Sequence, residues 1–263
     1  MSSRQDCRTR YPIILAHGIG VTERGGLYIP WGRVPAALRA HGAQVFFGRQ
    51  DAWGSIETGA SQLAAAVRQV RRETGCARVN IIAHSKGGLE ARDMISRMGY
   101  GKYVASLTML ATPNRGSRVA ELLLHARPGI AAWAHGNDAW WRRHGDKNPD
   151  SLRAAEQLTP ACLTLFNRTH PDAACVYYQS WGARLGRGNP DLAMQLTHGL
   201  FFHADGDSDG LVTPGSARWG RYRGTLEGVS HQQLVDVGAE GGRSFDARAF
   251  YVHLAQGLSE MGF

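Results

Sequence analysis

Apolar residues are bunched along this chain into short runs separated by polar, glycine-rich turns. Tyr11 to Ala16 reads as a buried, β-branched strand running straight into His17-Gly18-Ile19-Gly20. Val79-Asn80-Ile81-Ile82 reads as a second strand, followed by a tight turn and a helical stretch from Leu89 to Met98. Val104 to Leu110 reads as a third, ending in Ala111-Thr112-Pro113-Asn114-Arg115-Gly116-Ser117, and another strand is expected near Val176. Apolar strands that alternate with helical stretches predict parallel βαβ units and a doubly wound α/β sheet. An insert at about 114–160 interrupts the alternation. It carries Val119, Leu122, Leu123, Leu124, Ile130, Trp133, Trp140 and Trp141, with Pro128 and Gly129 as helix breakers. Such a segment is either a movable cover or a fixed cap over the core.

The turn after the second strand carries the most specific chemistry. Ala83-His84-Ser85-Lys86-Gly87-Gly88 places a serine between strand and helix, with small residues two positions before and two after it. A strained turn of this kind needs them, because a larger side chain would collide with the neighbouring strand or helix. It lifts the hydroxyl off the end of the sheet and aims the N–H groups of the helix start at the reacting oxygen. The competing reading makes Ser85 an ordinary N-cap. Two glycines in His17-Gly18-Ile19-Gly20 let that loop approach closely. The backbone N–H groups of Ile19 and Lys86 would then form a two-donor oxyanion hole. Further along, Asp205-Gly206-Asp207-Ser208-Asp209-Gly210-Leu211-Val212 is a polar loop with three candidate acids, and Gly228-Val229-Ser230-His231 closes a later loop.

Together these segments resemble the bacterial triacylglycerol lipases of the α/β hydrolase superfamily, the Pseudomonas and Burkholderia type. The similarity runs through residues 11–19, Trp31 to Arg39 with Gly42 to Val45, 79–88, 112–117, 209–212 and His231, and is weakest over about 124–148. The resemblance implies a single α/β hydrolase domain over 1–263, with a mostly parallel central sheet, helices on both faces and a helical lid or cap at 114–160. It implies a nucleophile, acid and base in the chain order Ser85, Asp209, His231. Asp209 is chosen because the family's acid directly precedes Gly-Leu-Val; Asp207 is the reserve, and Asp205 is read as a loop or capping residue. His84 is expected to pack under the turn, and His198, His203 and His253 to be surface or structural. The implied activity is ester hydrolysis through an acyl-enzyme, by a triacylglycerol lipase or carboxylesterase with no cofactor. A polyester or polyhydroxyalkanoate depolymerase and an acyltransferase share the same triad, and a catalytically silent binding module shares the fold.

The chain departs from the family at two places. Relatives hold a structural calcium with a carboxylate two residues after the catalytic histidine and another about 20 residues before the catalytic aspartate; here those positions are Gln233 and Asn189. Neutral amides are poor substitutes for charged ligands of a hard cation. The calcium site is therefore expected to be lost, with Asp191 and Asp236 as the residues able to rescue it. The second cysteine of the family's disulfide is replaced by Gly215, and Cys7, Cys76, Cys162 and Cys175 have no metal-site spacing. Free thiols are expected, a Cys162–Cys175 bridge being the alternative.

Composition changes this picture little. A chain of 263 residues, 43% hydrophobic, suffices for one sizeable α/β core. The net charge of +8 reads as a solvated basic face that also favours transient contact with a lipid interface. No motif points to nucleic acid. Residues 1–10 lack an apolar segment and no long apolar run occurs elsewhere. The default expectation is a cytoplasmic protein, or a secreted one if a leader has been removed. The oligomeric state is not legible.

Overall fold

The computed structural model describes residues 6–23, 30–125, 129–186, 189–237 and 245–263. Six strands form one sheet in the order β2-β1-β3-β4-β5-β6, every neighbouring pair parallel. They are β1 (Ile13–Ala16), β2 (Val45–Phe47), β3 (Val79–His84), β4 (Val104–Leu110), β5 (Tyr177–Arg184) and β6 (Arg221–Glu227). Parallel neighbours need crossovers, and helices supply them. These are α1 (Val34–Ala40), α2 (Ile56–Thr74), α3 (Lys86–Ser96), α4 (Arg118–His125), α5 (Ile130–Arg143), α6 (Ser151–Gln157), α7 (Pro160–Thr169), α8 (Leu192–Asp205), α9 (Pro214–Ala217) and α10 (Ala247–Glu260).

The period-two geometry of a strand decides which side chain meets which helix layer. Ile14, Ala16, Ile81, Ala83, Leu107 and Met109 face one way and pack with Ala60, Leu63, Val67 and Val70 of α2 and Ala91, Met94 and Ile95 of α3. Ile13, Leu15, Ile82 and Leu110 face the other way and pack with Val34 and Leu38 of α1 and Tyr251, Val252 and Leu258 of α10. A sheet covered on both faces explains why β1, β3 and β4 read as continuous apolar runs. The helix at 89–98 expected from sequence begins earlier, at Lys86, and ends at Ser96.

Helices α4 to α7 rise between β4 and β5. Ala120, Leu158 and Leu163 of this region pack on Ile56 and Leu89. Hydrogen bonds pin its base to the segment that enters α2. The Asp146 carboxylate accepts the N–H groups of Ala52 (2.9 Å) and Trp53 (3.0 Å), and Gln157 Oε1 accepts that of Ile56 (2.7 Å). Pro128 and the side chains of Leu123, His203 and Asp205 lie outside what is described. The backbone of Leu200 to Asp205 belongs to α8, so the polar loop named from sequence begins at a helix end. Cys7, Cys76, Cys162 and Cys175 are all unpaired, which removes the Cys162–Cys175 alternative. Among the described residues no helix is long and apolar enough to cross a membrane.

Candidate active site

Ser85 occupies the junction of β3 and α3 with φ 53° and ψ −130°, a conformation that L-residues rarely adopt. It stands at the N-cap position of α3, but its side chain makes no capping hydrogen bond, so capping does not account for the serine. Two glycines hold the turn against its neighbours. A Cβ on Gly87 would lie 2.5 Å from the His17 carbonyl oxygen, and a Cβ on Gly18 would lie 2.6 Å from Ser85 Cβ. The loop after β1 and the serine turn are thus packed backbone to backbone. This brings Ile19 beside Ser85, and both line one cavity. Lys86 is the first residue of α3, so its N–H belongs to the unpaired first turn of the helix.

Asp209 is fully buried. Its Oδ1 accepts two backbone N–H groups, from Leu211 (3.0 Å) and Val212 (2.8 Å), while Oδ2 lies 2.7 Å from His231 Nδ1. The His231 N–H also donates to the Asp209 carbonyl at 2.9 Å, so the two loops are joined through backbone as well as side chain. Asp207 lies elsewhere: its side chain is 54% exposed and faces Arg184. The imidazole of His231 rests against His84, ring centroids 4.4 Å apart, and His84 directly precedes Ser85. Both ring nitrogens of His84 are buried without a hydrogen-bond partner. Burial, reinforced by His231 and His17, pushes its pKa well below the usual imidazole range, so it stays neutral. His198 reaches Ser208 at 3.1 Å, and His253 is exposed.

The cavity that Ser85 enters holds about 510 Å³. From the core side it is lined by Ile19, Pro113, Leu211 and Val212. From the region between β4 and β5 it is lined by Val119, Ala120 and Leu124 of α4 and by Ile130 and Trp133 of α5. Trp53, on the way into α2, meets Trp133 edge to face at 5.5 Å. Trp133 is still 45% exposed, so the cavity reaches solvent beside it. The walls are almost wholly apolar, which suits a hydrocarbon chain and excludes a strongly hydrated one. Trp53 carried no sequence signal: it lies outside the insert, in a stretch without a motif.

The residues at the family's calcium positions do not fit the ion. Asn189 Nδ2 donates to Gln233 Oε1 at 2.9 Å and to the Gly228 carbonyl at 2.8 Å, and Gln233 Oε1 also accepts the Ser230 N–H at 2.9 Å. An amide NH₂ therefore points to where negative oxygens would have to converge, and a cation would be repelled. Of the two expected rescuers, Asp191 is engaged by the Ser230 hydroxyl (2.6 Å) and by the Met194 N–H (3.1 Å), in the first turn of α8. Asp236 is taken by the N–H of Arg33 (2.7 Å) and by its guanidinium (2.7 Å). Among the described residues no group of three or more His, Cys, Asp or Glu side chains is placed to hold a metal.

No family model matches the sequence. The chain is similar to curated triacylglycerol lipases. It is 31% identical to that of Vibrio cholerae over 254 residues, spanning 84% of this chain and 78% of that protein. It is 28% identical to that of Pseudomonas fragi over 288 residues, spanning 97% and 98%. Against two further bacterial lipases, at 33% identity, the match spans about half of their length, 55% and 49%. Among solved structures, Staphylococcus hyicus lipase superposes with a TM-score of 0.75 over 99% of this chain and 98% of that one, at 16% identity, a likeness of fold.

Proposed function

The chain belongs to the bacterial triacylglycerol lipase family and is a carboxylic ester hydrolase of the α/β hydrolase fold; from that premise we propose that it cleaves lipid esters with Ser85, His231 and Asp209 through an acyl-enzyme. The observation that carries the reading is the placement of His231: hydrogen-bonded to a buried carboxylate on one side and packed on His84, next to Ser85, on the other. Nδ1 bears the proton it donates to Asp209, which leaves Nε2 free to act as base.

In the first step Ser85 Oγ attacks the ester carbonyl as Nε2 takes its proton, and the carbonyl π electrons move onto oxygen. The N–H groups of Ile19 and Lys86 receive the oxyanion. Collapse expels the alcohol, protonated by His231, and the acyl group stays on Ser85. Water repeats the sequence and releases the acid. Asp209 steadies the transient imidazolium without taking its proton. The acyl chain fits the apolar cavity beside Ser85.

A fluorophosphonate probe tests the mechanism. The expected result is stoichiometric labelling of Ser85, located by peptide mass spectrometry; an unlabelled native protein would sink the reading. Rates on p-nitrophenyl butyrate, emulsified triolein and polyester film assign the substrate. Turnover of triolein is expected, and hydrolysis confined to the short ester or to film would replace the lipase by an esterase or a depolymerase.

The reaction uses no calcium. The Asn189–Gln233 amide pair ties the loop before α8 to the loop that carries His231, at the positions where the family resemblance implies calcium ligands. With excess EDTA, activity is expected to stay within about twofold and Tm within about 1 °C, because an ion that does not bind the native state cannot stabilise it. Joint loss of activity and Tm, restored by calcium, would overturn this.

A further inference from the structure

Acyl transfer as described uses Lys86 only through its backbone N–H. The Lys86 side chain is a separate feature, 1% exposed, in the first turn of the helix that follows the nucleophile. Its ammonium pairs with the fully buried Glu90 carboxylate one turn along and donates to the Gly54 carbonyl at 3.0 Å. The other Glu90 oxygen accepts from Gln50 Nε2 at 2.9 Å. The Gln50 carbonyl lies 3.2 Å from His17 Nε2, and His17 Nδ1 lies 2.8 Å from the Gly18 carbonyl. The Gly20 N–H donates to Ala52 at 3.2 Å. A continuous buried path thus joins the residue that carries one oxyanion donor to the loop that carries the other.

Stability does not account for this path. A buried ion pair is commonly no more stabilising than an apolar pair of the same volume, and a cation in the first turn opposes the helix dipole. Burial raises the Glu90 pKa, against the pull of Lys86 and Gln50. What the pair supplies is registry, because both partners are tied by directional bonds to the segment between β2 and α2, Lys86 to the Gly54 carbonyl and Glu90 to the Gln50 side chain. We infer that Lys86, Glu90 and Gln50 form a strut that fixes the N–H groups of Lys86 and Ile19 relative to Ser85, and that they are positioning residues for the oxyanion. This rests on the acyl-enzyme reading of the site.

The test is the double variant K86M/E90Q, which removes both charges together so that neither is stranded. Expected is a folded protein whose kcat on p-nitrophenyl butyrate falls about 10- to 100-fold while KM changes less than about threefold. Affinity for a trifluoromethyl ketone, which forms an anionic adduct on the serine, should fall by a similar factor. The pH dependence of kcat/KM should keep its shape. A folded variant with kcat within about twofold of the native enzyme, or with KM rising while kcat holds, overturns the strut. If the double variant does not fold, Gln50→Met decides on the same criteria, since it removes the Gln50 Nε2 bond that joins Glu90 to the path toward the 17–20 loop and leaves the ion pair in place. Fluorophosphonate labelling of the native enzyme separates the two readings: no labelling sinks both, whereas labelling with unaltered variant kinetics sinks the strut alone.

Discussion

Asp209→Asn is expected to lower kcat by about 10⁴-fold with little change in fold or KM, the loss seen when a triad carboxylate becomes an amide. Local geometry dictates which way the amide turns. Oδ1 of Asp209 already accepts the N–H groups of Leu211 and Val212, so the carbonyl oxygen of the asparagine would keep those bonds. Its NH₂ would then replace Oδ2 and face His231 Nδ1. Nδ1 must become the acceptor, the proton moves to Nε2, and the base is lost. Steady-state kinetics beside Asp207→Asn checks this. Asp207 is half-exposed and faces Arg184, so its variant should stay within about twofold of native. Equal losses in the two variants would mean that the acid has been misassigned.

Ser85→Ala is expected to remove about 10⁴-fold or more of kcat and all fluorophosphonate labelling. Alanine keeps the Cβ and makes the same demand on φ, and the serine hydroxyl has no capping role to lose, so Tm should match that of the native protein. The pairing of unchanged melting with abolished turnover separates chemistry from packing. A variant that retained more than about a tenth of native activity would show that another group attacks the ester.

Much of this arrangement was legible in the sequence where backbone and chemistry impose the same pattern. β1, β3 and β4 are buried on both faces, so their apolar runs stand out, and the Ser85 turn demands small residues at fixed offsets. The edge strands were harder. β2 has three residues and β6 is Arg221–Glu227, largely polar, so neither shows a period or a run. Helix α2 carries a signature of its own outside the apolar runs: a Ser55 cap whose side chain accepts the Thr58 N–H, then buried Ile56, Ala60, Leu63, Val67 and Val70. At the site, three aspartates competed for the acid, and it was the family resemblance, through Gly-Leu-Val after Asp209, that chose among them. The sequence could not show that the Lys86 side chain turns inward, because lysine after a nucleophile reads as a solvated surface residue until Glu90 and Gln50 are seen around it. The Asn189–Gln233 pair was visible as a missing charge, and its positive role as a clasp only as geometry.

The left-handed backbone of Ser85 also bears on the history of this chain. A residue held at φ 53° and ψ −130° costs on the order of 1–3 kcal/mol, out of a net stability of about 5–15 kcal/mol for a typical domain. A descendant that kept the fold merely to bind a partner would gain stability by relaxing that turn, and glycine at position 85 would do so, since it alone adopts this conformation without a Cβ penalty. Selection for stability alone pulls against the conformation in every generation. On the proposed mechanism, the strain around Ser85, beside the buried Asp209–His231 pair, is retained because that turn presents the nucleophile.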